Sequence, residues 1–294
     1  MMSKAADGAH IYENGNLVTK ITIPTSVTSV FNSQFYRYVD MTEITLHDGI
    51  TSIAGYAFDD CTSAKINMNL SNLTSIGSNA FRRVKEIEDI NLPNLTSLNN
   101  AAFWGSGVKK VSNLGKITNL AGGQWSQDGV FNGCTNLVSV LLPDCLESIT
   151  NESNGYSNCF SGCTALENIN INHVKTIGKS CFSKCSSLSI HIDNPYLTVL
   201  DNTVFYSCGE ITINTPNVTQ VGVECFWNSK LKGILNMPNV ESIGKRAFNS
   251  TNIEKVILQK IKTIQGDSTW SDHGAFYKCL KLTHVTLSDC VEFI

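Results

Sequence analysis

Cysteine and histidine are the residues of this sequence with the most obvious chemistry, because thiolates and imidazoles bind metals and act as nucleophiles or bases. The 294 residues include 11 cysteines and six histidines. Two cysteine pairs, Cys159/Cys163 and Cys181/Cys185, have a C-x-x-x-C spacing that a metal site could use. The histidines are scattered, and no nucleophile elbow, phosphate-binding loop, zinc-protease motif or dinucleotide-binding turn occurs. We therefore expect neither an enzyme nor a cofactor.

Three polar segments rich in Gly or Ser, residues 121–130, 150–158 and 265–274, are the other candidates for chemistry. Each carries one aromatic residue, which could stack on a sugar or fill a pocket of a protein partner. The alternative is that each ring folds back over its own part of the chain. The candidate ligand-binding residues are Trp125, Asp128, Tyr156, Trp270, Asp272 and His273. The acidic residues and histidine of the third segment match no established calcium or zinc loop, so we predict no metal.

An internal repeat must position these residues. A phenylalanine recurs every 21 to 23 residues, or every 28 to 29 where one of the polar segments falls inside the repeat. Its eleven copies are Phe35, Phe58, Phe81, Phe103, Phe131, Phe160, Phe182, Phe205, Phe226, Phe248 and Phe276. Such a period predicts a solenoid, in which each unit is too small to bury its apolar face alone and stacking closes the core.

Residues 76–98 show what one unit contains. The stretch from Ile90 to Leu92 alternates apolar and polar residues, which predicts a short strand that ends at Pro93. Since the next strand comes only after a full turn of chain, neighbouring strands must pair in parallel. Leu95 and Leu98 predict two inward corners. The segment before each repeat phenylalanine predicts one turn of α-helix or 3₁₀-helix that places all eleven rings in one continuous column.

The cysteines follow the same repeat. Nine of the 11 lie either one residue before or three residues after a repeat phenylalanine. Other repeats fill these two positions with Ala, Val, Ser or Thr, so small volume is the shared property. Free cysteine is often buried, and we therefore favour reduced, packed thiols over a metal site, whose C-x-x-x-C spacing arises whenever both positions of one repeat hold Cys.

The middle residue of each strand points away from the core, and in most repeats it is a short uncharged residue such as Asn or Thr. One interpretation is a ladder of side chains that bond to each other along the sheet. The alternative is a face that binds a peptide or glycan. We favour the ladder, because binding faces are usually rich in aromatic residues or arginine.

The unit I-x-L-P-x-x-[VL]-x-x-I-G-x-x-A-F-x-x-C-x-x-L, with its clearest copies at 130–137 and 159–166, resembles the BspA-type leucine-rich repeat. The resemblance implies an α/β solenoid: a horseshoe with a parallel β-sheet on one face and short helical or 3₁₀ turns on the other. We expect residues 1–19 to form an N-terminal lead-in and residues 20–294 a solenoid of about eleven repeats with an uncapped C-terminus. Proteins with this repeat occur on the surfaces of bacteria and mucosal protozoa, where some resemble adhesins for host matrix proteins or other microbes.

The predicted function is thus a non-enzymatic cell-surface or extracellular protein that binds a protein or glycan ligand through its solenoid surface and inserted loops. A net charge of −3 with 16% charged residues argues against a nucleic-acid partner. No apolar run is long enough for membrane insertion, and residues 1–15 lack the apolar stretch of a signal peptide. The alternatives are a structural module of a surface or virion fibre, with end-to-end contact through the C-terminal repeat, and a hydrolase hidden in the irregular loops.

Overall fold

The computed structural model describes residues 2–4, 10–120, 122, 129–151, 155–266, 274–289 and 291. Over these residues the chain forms a parallel β-solenoid of about eleven turns. Each turn has three sides: a first row of parallel strands, a second row of parallel strands and a face made only of turns. The two rows are called the first and second sheets, and the hydrogen-bonded pairing divides each of them into three sections. In the described part of the chain, no helix is long and apolar enough to span a membrane.

The first sheet contains the strands that the alternating pattern predicts. Equivalent residues of successive repeats pair in register, as Lys20, Glu43 and Lys65 do at its start. Its strands are Lys20–Thr22, Glu43–Thr45, Lys65–Ile66, Met68–Asn69, Ile87–Asn91, Val108–Asn113, Ser139–Val140, Asn168–Ile169, Ser189–Asp193, Glu210–Asn214, Lys230–Asn236, Asn252–Ile257 and His284–Thr286. The pairing is parallel throughout, which confirms the expectation from the repeat.

A second parallel sheet runs along the next side of the solenoid, where the sequence predicts only corners. Each strand has two residues, typically an outer polar residue followed by a buried aliphatic residue. The strands are Ser29–Val30, Ser52–Ile53, Ser75–Ile76, Ser97–Leu98, Ser148–Ile149, Thr176–Ile177, Val199–Leu200, Gln220–Val221, Ser242–Ile243 and Thr263–Ile264. Two residues are too few to show a period of two, so the sequence pattern does not reveal this sheet.

The third side, called the turn face below, consists of the residues from two before to three after each repeat phenylalanine. The expected helical or 3₁₀ turns are not found there: the described residues contain turns and no helix. Around Phe58, alternate amides donate to the next repeat, as Phe58 does to the Ala80 carbonyl at 2.8 Å, and the others donate within the turn, as Cys61 does to Phe58 at 3.2 Å. Tyr56 and Asp60 have φ values of 56° and 59°. A helix needs consecutive internal bonds and right-handed residues, and this segment has neither.

The eleven repeat phenylalanines form one column through the centre of the solenoid, as the sequence predicts. Successive ring centroids are 5.2 to 5.5 Å apart, and the ring planes are 2° to 20° from parallel. Nine of the rings are fully buried. The spacing is close to the distance between neighbouring strands, about 4.8 Å, so the backbone ladders set the stacking distance.

Three antiparallel strands precede the solenoid: Met2–Lys4, Ile11–Glu13 and Asn16–Leu17. Ile11 packs against the solenoid core. This segment therefore differs from the repeats that follow it, because its strands pair antiparallel and theirs pair parallel.

Candidate functional site

The three polar segments connect to the described structure at their ends, and most of their predicted site residues lie outside the described residues. Trp125 and Asp128 of the first segment cannot be placed, nor can Trp270, Asp272 and His273 of the third. Tyr156 of the second segment can. Its surroundings therefore supply the geometry of the candidate site.

The bases of the first two segments are in close contact, as expected for insertions in neighbouring repeats. A Cβ atom built on Gly122 would lie 2.1 Å from the Ser157 carbonyl oxygen. One on Gly129 would lie 2.1 Å from the Asn158 carbonyl oxygen. Both positions therefore require glycine, because the two backbones meet where a side chain would be. The contact brings the two described positions of the first segment, Gly122 and Gly129, against the segment that carries Tyr156.

This contact predicts a difference between two glycine-to-alanine changes. Gly122→Ala is expected to lower the free energy of unfolding by about 1–3 kcal/mol, because the added methyl group must push two backbone segments apart. Gly266→Ala is the matched control, since Gly266 is the second residue of the third segment and no atom of the described residues lies within 4 Å of the built Cβ. Urea denaturation of both variants measures the difference. Equal midpoints would contradict the contact.

Tyr156 combines a fixed backbone with an exposed ring. It forms a parallel β-bridge with Lys179, and the Asn151 amide donates to the Tyr156 carbonyl at 2.8 Å. Tyr156 is 44% exposed as a residue, and the Lys179 Nζ atom lies 5.1 Å from its ring centroid. The ring therefore does not fold back into its own repeat, and the ammonium group beside it contributes a cation–π contact. One end of the site is thus a positioned aromatic ring with an adjacent positive charge.

The residues beneath this loop are polar and buried. Ser157 is fully buried, and its hydroxyl accepts a hydrogen bond from the Cys159 amide at 3.2 Å. Asn158 is 5% exposed, and among the described residues its Nδ2 atom has no hydrogen-bond partner. Buried polar groups are normally paired, and the base of the two segments is therefore a polar part of an otherwise apolar core.

The outer surface of the first sheet carries an open groove that the sequence analysis did not identify. A volume of about 510 Å³ lies above Val140 and Ile169, with Leu141 and His191 on its sides. Leu141 is 57% exposed. The groove continues over the next two repeats, where the His191 Nδ1 atom lies 2.8 Å from the Thr212 hydroxyl. In the sequence, Leu141 could have indicated this groove, because it is an aliphatic residue at a strand position where most repeats have a small polar residue.

The polar row beside this groove forms only part of the predicted ladder. Asn91 donates from Nδ2 to the Asn69 Oδ1 atom at 2.9 Å, and Asn214 donates to Asp193 at 2.7 Å. Asn170 instead bonds to the backbone of the preceding repeat, with Nδ2 2.9 Å from a carbonyl oxygen. The side chains thus bond along the sheet at some repeats and leave gaps at others, which is where the groove opens.

The cysteines are structural. The ten described cysteines are free, and within the described residues no group of three His, Cys, Asp or Glu could hold a metal ion. At the position three residues after phenylalanine, the thiol donates to the phenylalanine carbonyl of the preceding repeat, as Cys185 does to Phe160 at 3.1 Å. The same bond occurs in all described cysteines of this position: Cys61, Cys134, Cys163, Cys185, Cys208 and Cys279. Small volume therefore explains this position only in part, because the thiol also links neighbouring repeats.

Two histidines have a similar structural role. His47 donates from Nε2 to the Pro24 carbonyl at 3.0 Å, and His173 donates to the Pro143 carbonyl at 3.1 Å. Each bond connects a corner to the preceding repeat. These two imidazoles therefore stabilise the stacking of neighbouring repeats.

The family assignment follows from comparison with known repeats. The model of the BspA type leucine rich repeat region matches residues 8–127, 126–172 and 153–273. The match spans most of the chain, and the chain therefore belongs to this family, which is a repeat region and not a catalytic family. This agrees with the resemblance predicted from the repeat unit.

Several solved structures are similar along nearly the whole chain. A leucine-rich repeat protein from Bacteroides ovatus is 20% identical, with 100% of this chain and 97% of that chain covered and a TM-score of 0.42. One from Eubacterium ventriosum is 18% identical, with 95% and 82% covered and a TM-score of 0.49. A leucine rich cell surface protein from Faecalibacterium prausnitzii is 17% identical, with 98% and 95% covered and a TM-score of 0.39. A search of the curated proteins found no match.

Proposed function

We propose that this protein is a cell-surface or extracellular binding protein, adhesin-like, that recognises a protein or glycan ligand through its inserted loops and the adjoining solenoid surface. The observation that carries the proposal is Tyr156, an aromatic residue that is 44% exposed although its backbone is fixed by a β-bridge. An exposed ring held on a rigid base loses little conformational entropy on binding. Membership of the BspA-type repeat family supports a binding role.

The ligand site would combine residues from two neighbouring repeats. Tyr156 and Lys179 provide an aromatic ring and a positive charge on a rigid base. Trp125 and Asp128 belong to the segment whose base contacts the Tyr156 loop. Aromatic and charged side chains of this kind dominate the binding energy of protein interfaces and also stack on sugars. The third segment, with Trp270, Asp272 and His273, would form a separate contact further along the solenoid.

Binding to arrays of glycans and of matrix proteins tests this proposal. We expect the wild-type chain to retain at least one class of ligand. We expect Trp125→Ala with Tyr156→Ala to weaken that binding about tenfold or more, because hot-spot aromatics contribute at least this much.

The matched control for this test is Tyr196→Ala, which removes a tyrosine that is 56% exposed and lies outside the inserted segments. It is expected to bind like wild type. The urea midpoint of all variants should stay unchanged. If the Tyr196 variant loses as much binding as the loop variant, or no array member is retained, the loops are not the binding site.

A further inference from the structure

A cluster of arginine and aromatic side chains, residue types that often form binding sites, lies on the turn face of the first four repeats, away from the inserted segments. The two positions directly after each repeat phenylalanine form rows on this face, because backbone bonds join equivalent turns. Arg37 donates from its amide to the Asp59 carbonyl at 2.8 Å, and Arg83 donates to the Trp104 carbonyl at 2.9 Å. We call the side chains of Tyr36, Arg37, Arg82, Arg83 and Trp104 the arginine patch.

The two central arginines are held by the indole of Trp104. The guanidinium carbons of Arg82 and Arg83 lie 5.3 Å and 4.8 Å from the ring centroid. Stacking on an aromatic ring restricts a long flexible side chain before any ligand arrives, so less entropy is lost on binding.

The carboxylates of this cluster lie below the arginines. Asp59 has a fully buried side chain, and the Arg82 Nε atom donates to it at 2.5 Å. Asp60 is 18% exposed in its side chain and accepts from Arg83 Nη1 at 3.2 Å, whereas the Arg83 side chain is 49% exposed. The charges that face solvent are therefore mainly positive, although the chain as a whole has a net charge of −3.

Donor groups remain for a ligand. Arg83 uses Nη1 for Asp60, which leaves Nε and Nη2 for an incoming carboxylate. Arg37 is exposed and has a cation–π contact with Tyr36 at 6.0 Å, but it forms no ion pair with any residue that the structure describes. A planar guanidinium with two free N–H groups matches the geometry of a carboxylate, which it binds with two parallel hydrogen bonds.

We infer that the arginine patch is a second interaction surface, separate from the inserted loops, which binds an acidic segment of a partner protein. The guanidinium groups of Arg82 and Arg83 lie over the Trp104 ring, where a sugar would have to compete with them for stacking. Tyr, Trp and Arg are also the residues most enriched at the energetic centres of protein interfaces. Carboxylates of the partner would pair with Arg37 and Arg83, and its aliphatic or aromatic residues would contact Tyr36.

Arrays of synthetic 12-residue peptides test the inference. The array carries peptides rich in Asp, Glu and aromatic residues, the same peptides with the acids replaced by Asn and Gln, and, as a separate arm, sulfated and sialylated glycans. We expect the wild-type protein to retain acidic peptides in preference to their amide counterparts. Arg37→Gln with Arg83→Gln is expected to reduce that binding at least tenfold.

The matched control is Lys184→Gln with Lys278→Gln. Both lysines occupy the same turn position as the arginines, are exposed and have positive φ values of 65° and 56°. This variant loses the same charge and is expected to bind like wild type. Equal binding of acidic and amide peptides, equal loss in both double variants, or retention of glycans in place of peptides would overturn the inference. The urea midpoints of the variants show whether any loss comes from unfolding.

Discussion

Replacing Phe160 by alanine is expected to lower the free energy of unfolding by about 3–5 kcal/mol. The ring is fully buried, and it stacks on Phe131 at 5.5 Å and on Phe182 at 5.4 Å. Alanine would remove the apolar surface and both stacking contacts, and it would leave a cavity that rigid backbone ladders on three sides cannot close. Cavity formation adds to the transfer free energy of the lost atoms.

The position of Phe160 in the middle of the column adds a second consequence. Stability in a solenoid is approximately a sum over repeats and their interfaces, so one weak repeat divides the chain into two cooperative units. We therefore expect the urea transition of Phe160→Ala to broaden as well as shift, because two units can then unfold at different concentrations.

The control for this prediction is Phe31→Ala. Phe31 lies outside the column and is 71% exposed, so its removal should change the midpoint little. Denaturation followed by circular dichroism measures both variants. Equal stability of the two would show that the column does not hold the solenoid together.

The second large effect is a loss of stability at alkaline pH caused by the buried thiols. Burial raises the pKa of Cys61 and Cys134 from the ordinary 9.0 to about 12, and that of Cys159 to about 11. The same cause raises the pKa of the other fully buried thiols: Cys163, Cys181, Cys185, Cys208 and Cys225. Above pH 9 these thiols ionise in the unfolded chain but stay protonated in the folded one.

The sign follows from proton linkage. A folded pKa above the unfolded value gives stability that is complete below the unfolded pKa and is lost as the pH rises towards the folded pKa. Each such thiol removes about 1.4 kcal/mol per pH unit over that range. With eight thiols of this kind in the described residues, the combined slope approaches about 11 kcal/mol per pH unit, which is enough to unfold a protein of ordinary stability between pH 9 and about 10.5.

Comparison of variants isolates this effect from other groups that titrate at alkaline pH. Cys185→Ala with Cys208→Ala should reduce the slope of unfolding free energy against pH by about 2.7 kcal/mol per unit above pH 9.5, because two thiols no longer titrate. Cys145→Ala is the control, since Cys145 is exposed. Urea midpoints are measured at each pH with a phosphine reductant. An unchanged slope in the double variant would mean that these thiols ionise in the folded state.

Much of the fold follows directly from the repeat. The regular spacing of phenylalanine requires equivalent turns, and a strand that returns only after a full turn must pair in parallel with its predecessor. The column of rings and the buried, reduced state of the cysteines at fixed repeat positions follow from the same periodicity. These features recur along the solenoid axis because the sequence pattern that produces them occurs once in every repeat.

The candidate site was less predictable. The sequence distinguishes the inserted segments by their length and composition. It does not show where the aromatic ring of one segment lies relative to that of another. Only the structure shows that Gly122 and Gly129 bring the first segment against Ser157 and Asn158, and that Tyr156 is held by a bridge to Lys179. The groove beside Leu141 also depends on which asparagines turn to the backbone, a choice made by local geometry.

The sequence by itself determined the solenoid, the parallel pairing of its strands and the central column, because each is a repetition of one short pattern with a buried face. The tertiary structure decided the second sheet, the replacement of helix by turns, and the arginine patch. These depend on hydrogen bonds between turns that are about 22 residues apart in sequence but about 4.8 Å apart in space. A pattern within one repeat contains no information about the direction in which its amides point, and that direction decides whether the turn closes on itself or bonds to its neighbour.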